Sequence, residues 1–235
     1  MLNVKILTAY SDMFPGTLGY SIIGKALHEK KWSLEIINLH DFGIDERKSI
    51  DDEPFGGGPG MIIRPDIVEK ALLSIHYYEG ISRQLIYLTP SGKPLNQGNL
   101  IEFIQFDELI ILCGRFEGVD TRAIEALNFL EISIGDYILV GGEIAAQVLV
   151  EGCIRLIPGV LGHPESLLEE SFSDNLLEYP QYTRPQVWRD AHENDHEVPN
   201  ILLSGNHEKI KDWRNNKSIE KTKLIRPDLL KKKKK

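Results

Sequence analysis

The sequence predicts an α/β fold with a mostly parallel sheet and helices on both faces, on three observations. Short apolar runs alternate with helix-patterned segments from Asn3 to Val150, as in strands joined by crossover helices. One run, Leu109 to Cys113, is apolar without interruption, as expected of a strand buried on both faces. Three runs end in glycine-bearing loops, at Tyr87 to Gly92, Gly114 to Gly118 and Ile134 to Gly142. Open parallel sheets hold ligands at the carboxyl ends of their strands, so three such loops point to one composite pocket.

Taken in order, Asn3 to Ala9 reads as a first strand. Leu18 to Lys30 reads as a helix with Ile22, Ile23, Ala26 and Leu27 apolar, and Ser33 to Leu39 as a strand through Leu34, Ile36 and Ile37. Asp41 to Gly60 is polar and acidic and ends Phe55-Gly56-Gly57-Gly58-Pro59-Gly60; so long a stretch without apolar periodicity is expected to be a functional or mobile loop. Pro65 opens a helix carrying Ile67, Val68, Ala71, Leu72 and Ile75, a position where its missing N–H costs nothing. Gln84 to Leu88 is a short strand, Leu100 to Phe106 a helix, Leu109 to Cys113 a strand and Val119 to Leu127 a helix. Phe129 to Ile132 then leads through Ser133-Ile134-Gly135-Asp136-Tyr137-Ile138-Leu139-Val140-Gly141-Gly142-Glu143 into the helical pattern of Ala145 to Val150. Pro158 to Pro164 is too rich in Pro and Gly for regular structure, and the composition shifts again near Tyr182-Thr183-Arg184-Pro185. Ser204-Gly205-Asn206-His207 caps a helix carrying Ile210 and Trp213.

Composition narrows the function. With 42% hydrophobic and 26% charged residues, a sizeable core is expected. No run of eighteen apolar residues occurs, and Met1 to Tyr10 lacks a basic start, so neither a membrane span nor a secretory signal is expected. Cys113 and Cys153 sit among apolar neighbours without metal-ligand spacing; buried thiols in a cytoplasmic protein are expected. The net charge of −8 argues against a generally basic coat, yet it divides into −14 over residues 1–180 and +6 over 181–235. A basic tail on an acidic body is an asymmetry typical of nucleic-acid contact. The glycine loops carry neither a dinucleotide fingerprint nor a Walker lysine, which suits a small ligand without phosphates.

Together Tyr87-Leu88-Thr89-Pro90, Gly114-Arg115-Phe116-Glu117-Gly118, Ser133 to Tyr137, Gly141-Gly142-Glu143, Pro158 to His163, Leu203 to His207 and Gly56 to Met61 resemble the bacterial tRNA (guanine-N1)-methyltransferases of the TrmD type, in the SPOUT superfamily. The resemblance covers nearly the whole chain and keeps the family's motif order. It implies a deep trefoil knot in the sheet and a small C-terminal helical domain. It implies a knotted S-adenosyl-L-methionine-binding catalytic domain over 1–160, a flexible linker over 161–180, and a tRNA-binding domain with basic tail over 181–235. A homodimer with an active site shared between subunits is implied too, methylating N1 of the guanosine 3′ of the anticodon.

By the same resemblance, the methyl donor is held by Tyr87, Leu88, Thr89, Pro90, Gly114, Phe116, Glu117, Ile134, Gly135, Asp136, Tyr137, Ile138, Leu139, Gly141 and Gly142, and the tRNA meets Asp51, Gly60, His163 and Arg184. Asp51 and Asp52 offer magnesium two carboxylates and no further ligands, a weak signal; no metal ligand is assigned. The chemistry needs a base for the N1 proton and a cation for the charge that spreads onto O6. The family pattern supplies Arg155 and an aspartate, but here Glu169-Glu170-Ser171-Phe172 puts Glu170 at the aspartate's place. Phe116 likewise stands where a tyrosine is usual. Without the resemblance, Arg155 would read as a helix-end cation and the glutamates as a solvated pair.

Two alternatives come from other classes. His192-Glu193-Asn194-Asp195-His196 matches the zinc-hydrolase pattern, whose histidines must share one face of a helix. The segment is polar throughout and lies where the chain is longer than the family's usual linker, so the match reads as accidental. The other alternative is a catalytically weakened RNA-binding relative, which rests on the exchange of aspartate for Glu170.

Overall fold

The chain's computed structural model describes residues 1–162, 170–172 and 174–231. It divides into two compact units, Met1–Gly162 and His163–Lys235. In the first, Glu108–Cys113 is the central strand, β6, of a five-stranded parallel sheet ordered β2-β1-β6-β5-β7. The other strands are β1 (Leu2–Thr8), β2 (Trp32–Asn38), β5 (Arg83–Pro94) and β7 (Leu130–Ser133). Every residue of β6 is buried, because successive side chains alternate between two covered faces. Leu109, Ile111 and Cys113 join Ile23, Phe103 and Leu149 in one core, while Ile110 and Leu112 join Ile67, Val68 and Ile124 in the other.

The helices divide accordingly. The first face is covered by α1 (Ser21–His28), α3 (Gln97–Phe103) and α5 (Glu143–Ile154); the second by α2 (Pro65–Leu73) and α4 (Thr121–Ala126). Each fully buried Leu or Ile contributes about 1.5–3 kcal/mol, so the two layers fix which way every strand faces. Pro65 opens α2, and Asn96 and Asn99 cap α3 reciprocally. Among the described residues, no helix is long and apolar enough to cross a membrane.

Three elements differ from the sequence reading. The first helix begins at Ser21, because Gly16–Gly19 forms a 3-10 turn. The strand expected to stop at Leu88 runs to Pro94. Ile132 of β7 pairs first with Leu88 and again with Lys93, so residues 89–92 are looped out of the ladder. Gly92 is required there, since a Cβ on it would lie 2.4 Å from the Ile132 nitrogen. Finally, the acidic stretch from Asp41 contains a strand, β3 (Asp51–Asp52), antiparallel to β4 (Ile62–Ile63).

The second unit holds a hairpin of β8 (Val187–Arg189) and β9 (Asp195–Glu197), followed by α6 (Asn200–Leu203), α7 (His207–Ile225) and α8 (Pro227–Leu230). Asn206 caps α7 by accepting from the Lys209 N–H. Part of the expected linker is folded onto α7: Leu177 N–H donates to Thr222 Oγ1 at 2.8 Å, and Glu178 N–H to Ser171 Oγ at 3.0 Å. The zinc-hydrolase pattern falls on the hairpin, with His192 in the turn and His196 in β9. Its histidines therefore share no helical face, and that alternative lacks its scaffold.

Asp190 closes the hairpin, accepting from the His192 and Asn194 N–H groups at 2.8 and 3.0 Å, with His196 Nε2 at 3.0 Å. These bonds, the one with His196 foremost, hold its carboxyl at about 2 against an ordinary 3.8. A depressed carboxyl contributes stability above its unfolded value and loses it as pH falls through the folded one. The hairpin is therefore expected to loosen as pH drops from about 4 to about 2, seen as a change in Trp188 emission that Asp190→Asn abolishes.

Candidate active site

The excursion of β5 around residues 89–92 and the carboxyl ends of β6 and β7 enclose a cavity of about 270 Å³. The first loop supplies Tyr87, Leu88, Thr89 and Pro90, and the second Gly114, Phe116 and Glu117. The third supplies Ile134, Gly135, Tyr137, Ile138, Leu139, Gly141 and Gly142. Of the cofactor residues expected from sequence, Asp136 stands apart: it is exposed on the third loop and is not among those that line the cavity. Sequence reasoning missed Arg115, Gly118, Ile132, Ser133, Val140 and Ala145. Arg115, Gly118, Ser133 and Val140 adjoin predicted residues; Ile132 and Ser133 read as strand and Ala145 as helix, which concealed that each lines the opening.

Backbone proximity holds the loops together. Gly142 N–H donates to the Gly114 carbonyl at 2.9 Å. A Cβ on Gly142 would stand 2.8 Å from Cys113 Cα, so only glycine lets the third loop cross the end of β6 so closely. Phe116 adopts a left-handed φ of 57°, costly for an aromatic residue and typical of ligand sites. Its ring stands 48% exposed at the cavity rim.

The acidic stretch comes to the same rim. Glu117 N–H donates to the Met61 carbonyl at 2.9 Å, and Ile63 N–H to the Gly118 carbonyl at 3.0 Å. A Cβ on Gly60 would collide with the Glu117 side chain, so Gly60 lies directly against the second loop. Asp51 sits opposite Ile63 in the short antiparallel pair.

Beneath the cavity lies a buried ion pair. Arg115 Nε is 2.8 Å from Glu143 Oε2, with side-chain exposures of 12% and 1%. Thr8 Oγ1 donates to the other Glu143 oxygen at 2.8 Å, and the Arg115 guanidinium lies 4.2 Å from the centre of the Tyr10 ring. Glu143 also begins α5, where the helix dipole favours a negative charge. Burial raises the Tyr87 phenol above its ordinary value, so at neutral pH it remains a hydrogen-bond donor. Burial likewise pushes the Cys113 thiol well up; it is packing, not a nucleophile.

The remaining expected residues lie elsewhere. Arg155 caps the C-terminus of α5 and is half-buried. Ile144 and Val148, each 49% exposed, precede it at spacings that put all three on one helical face. Glu170 is half-buried in the second unit, as Arg184 is exposed there. His163 lies outside the described residues.

Fold and site define a parallel α/β protein whose small-molecule cavity is walled by main chain and apolar side chains where three strands end. A family profile described as tRNA (Guanine-1)-methyltransferase TrmD matches residues 2–232. A relative from Ehrlichia canis (strain Jake) is 49% identical over 97% of this chain and 95% of its own. One from Wolbachia pipientis wMel is 50% identical over 97% and 95%, and one from Rhodospirillum rubrum 49% identical over 97% and 92%. All three are named tRNA (guanine-N(1)-)-methyltransferase. The chain belongs to the tRNA (Guanine-1)-methyltransferase family.

Removing one member of the buried pair tests its role. Arg115→Met leaves the Glu143 carboxylate without its counter-ion and is expected to cost about 3–5 kcal/mol in urea denaturation. Adding Glu143→Leu, which removes the stranded charge, is expected to restore a substantial part of that loss.

Proposed function

We propose that this chain transfers a methyl group from S-adenosyl-L-methionine to N1 of the guanosine 3′ of a tRNA anticodon. The observation that carries the reading is the convergence of three glycine loops on one cavity, in a chain matched by the family from residue 2 to residue 232. The residues present fit the donor: Gly114, Gly135, Gly141 and Gly142 line the cavity with backbone, Tyr87 and Phe116 offer aromatic walls, and no basic side chain is placed for phosphate on any of the three loops except the paired Arg115. When bound, the donor supplies an electrophilic methyl on sulfur.

The chain's own residues supply the rest. Guanine N1 carries a proton and becomes nucleophilic as that proton leaves; the Glu170 carboxylate takes it. Negative charge then grows on O6, and the Arg155 guanidinium donates to that oxygen. The base must leave its stack to be reached, and Asp51 and Gly60 at the rim receive its RNA flank.

Two further features belong to this reading. The third loop crosses the end of β6 so closely that the crossing is taken as the threaded segment of a trefoil knot, an exception among folds. Ile144 and Val148, continued by Arg155 on the same helical face, form the contact of a homodimer, which carries Arg155 to a neighbour's site. The connecting segment over 161–180 then delivers Glu170, residues 181–235 grip the tRNA, and the enzyme works in the cytoplasm.

Labelled-methyl transfer to a tRNA transcript tests the whole: incorporation is expected with guanosine beside the anticodon and none with adenosine. Glu170→Gln and Arg155→Ala are each expected to lower turnover about a hundredfold or more while calorimetric donor binding persists. Parental turnover by Glu170→Gln would remove the glutamate from the base's role. Mixing a cofactor-loop mutant with a Glu170→Gln mutant should restore partial activity if the site is shared; no recovery would leave each subunit self-sufficient.

A further inference from the structure

The hairpin of the second unit springs from the rim of a second cavity, of about 420 Å³. Gln186 and Val198, which flank the two strands, both line that cavity, and Val198 N–H donates to the Gln186 carbonyl at 3.0 Å. Side chains two residues apart on a strand share a face. Trp188 and His196 therefore continue the face that Gln186 and Val198 begin, and they are cross-strand partners. Their rings stack at 5.2 Å and 27°, and Trp188 is still 58% exposed. Inside the cavity the Tyr182 and Trp213 rings lie 6.3 Å apart, and Arg184 and Arg214 add positive charge to its lining. Asp195 and Glu197 belong to the hairpin's other face, where Asp195 pairs with Arg189.

We propose that this aromatic strip binds single-stranded RNA, one unstacked nucleobase entering the cavity beside Tyr182 and the next stacking on Trp188. The inference rests on the reading of tRNA as substrate, and it adds a second base-binding site remote in sequence from the methyl-transfer loops. Aromatic faces combined with arginine are what unpaired nucleotides select, because stacking is indifferent to sequence while the cations meet the backbone. Arg184 and Arg214 in the lining favour a polyanion over a neutral peptide as the occupant, and the Lys231 to Lys235 run brings residues 181–235 to +6. Asp195 and Glu197 lie on the opposite face, and Asp190, the carboxylate beside His196, is engaged by His196 Nε2 and by the His192 and Asn194 N–H groups.

The full-length protein and an unmodified tRNA transcript provide the test, with affinity read by fluorescence anisotropy across a salt series. Trp188→Ala and Tyr182→Ala are each expected to weaken binding about tenfold, with the slope of log affinity against log salt unchanged, as for stacking rather than phosphate contacts. Trp188→Tyr should hold near-parental affinity, and donor binding should be unaltered throughout. Affinity within twofold of the parent in both alanine variants, while the parent still methylates the transcript, overturns this inference alone. So does a change of oligomeric mass in Trp188→Ala with tRNA affinity preserved, which would assign the strip to a contact between proteins. A parent chain that neither binds nor methylates the transcript takes down the reading beneath it as well.

Discussion

The Glu143 carboxylate, 1% exposed at the start of α5, would be very costly without its partners. Arg115 reaches it from the second glycine loop and Thr8 from the end of β1. One charge thus ties together the first strand, the loop after the central strand, and the helix that follows the third loop. The cavity walls cannot separate without exposing or stranding that charge. Tyr10, lying against the outer face of the Arg115 guanidinium, closes the assembly from the side of β1.

Much of this was legible in the sequence, and the rest was hidden for identifiable reasons. The unbroken apolar run from Leu109 to Cys113 announced a strand covered on both faces. The glycine loops announced the pocket by their number: one could be only a tight turn, but three at the ends of neighbouring strands converge on one place. The continuation of β5 through Thr89 to Pro94 was not legible. Pro90 and Gly92 read as turn signals, whereas here they serve a strand that releases its neighbour and takes it up again five residues later. The ion pair was equally invisible, since nothing in local sequence connects Thr8, Arg115 and Glu143. The Trp188–His196 stack was concealed by a pattern that invited a helical interpretation, although the Asp190 bonds close a hairpin.

The two units differ in charge. Met1–Gly162 holds 13 Lys and Arg against 22 Asp and Glu, around a cavity walled by main chain and apolar side chains, whereas His163–Lys235 holds 14 against 13. An enzyme of this family must accommodate a polyanionic RNA and a methyl donor together. On α5, Glu143 in the first turn holds Arg115 of the second glycine loop, and Arg155 follows the last turn as its C-cap.

Walls made of backbone have a pharmacological corollary. A competitor that satisfies the amides and carbonyls of the third loop addresses groups that a change of side chain leaves in place, exchange to proline excepted. The glycines at 92 and 142 are barred from acquiring side chains by neighbouring main-chain atoms. Resistance to such a compound would have to arise at the replaceable rim, at Phe116, Ile138 or Val140, where side chains stand open to solvent. Compounds anchored deep and kept clear of those three positions would leave the organism few routes of escape.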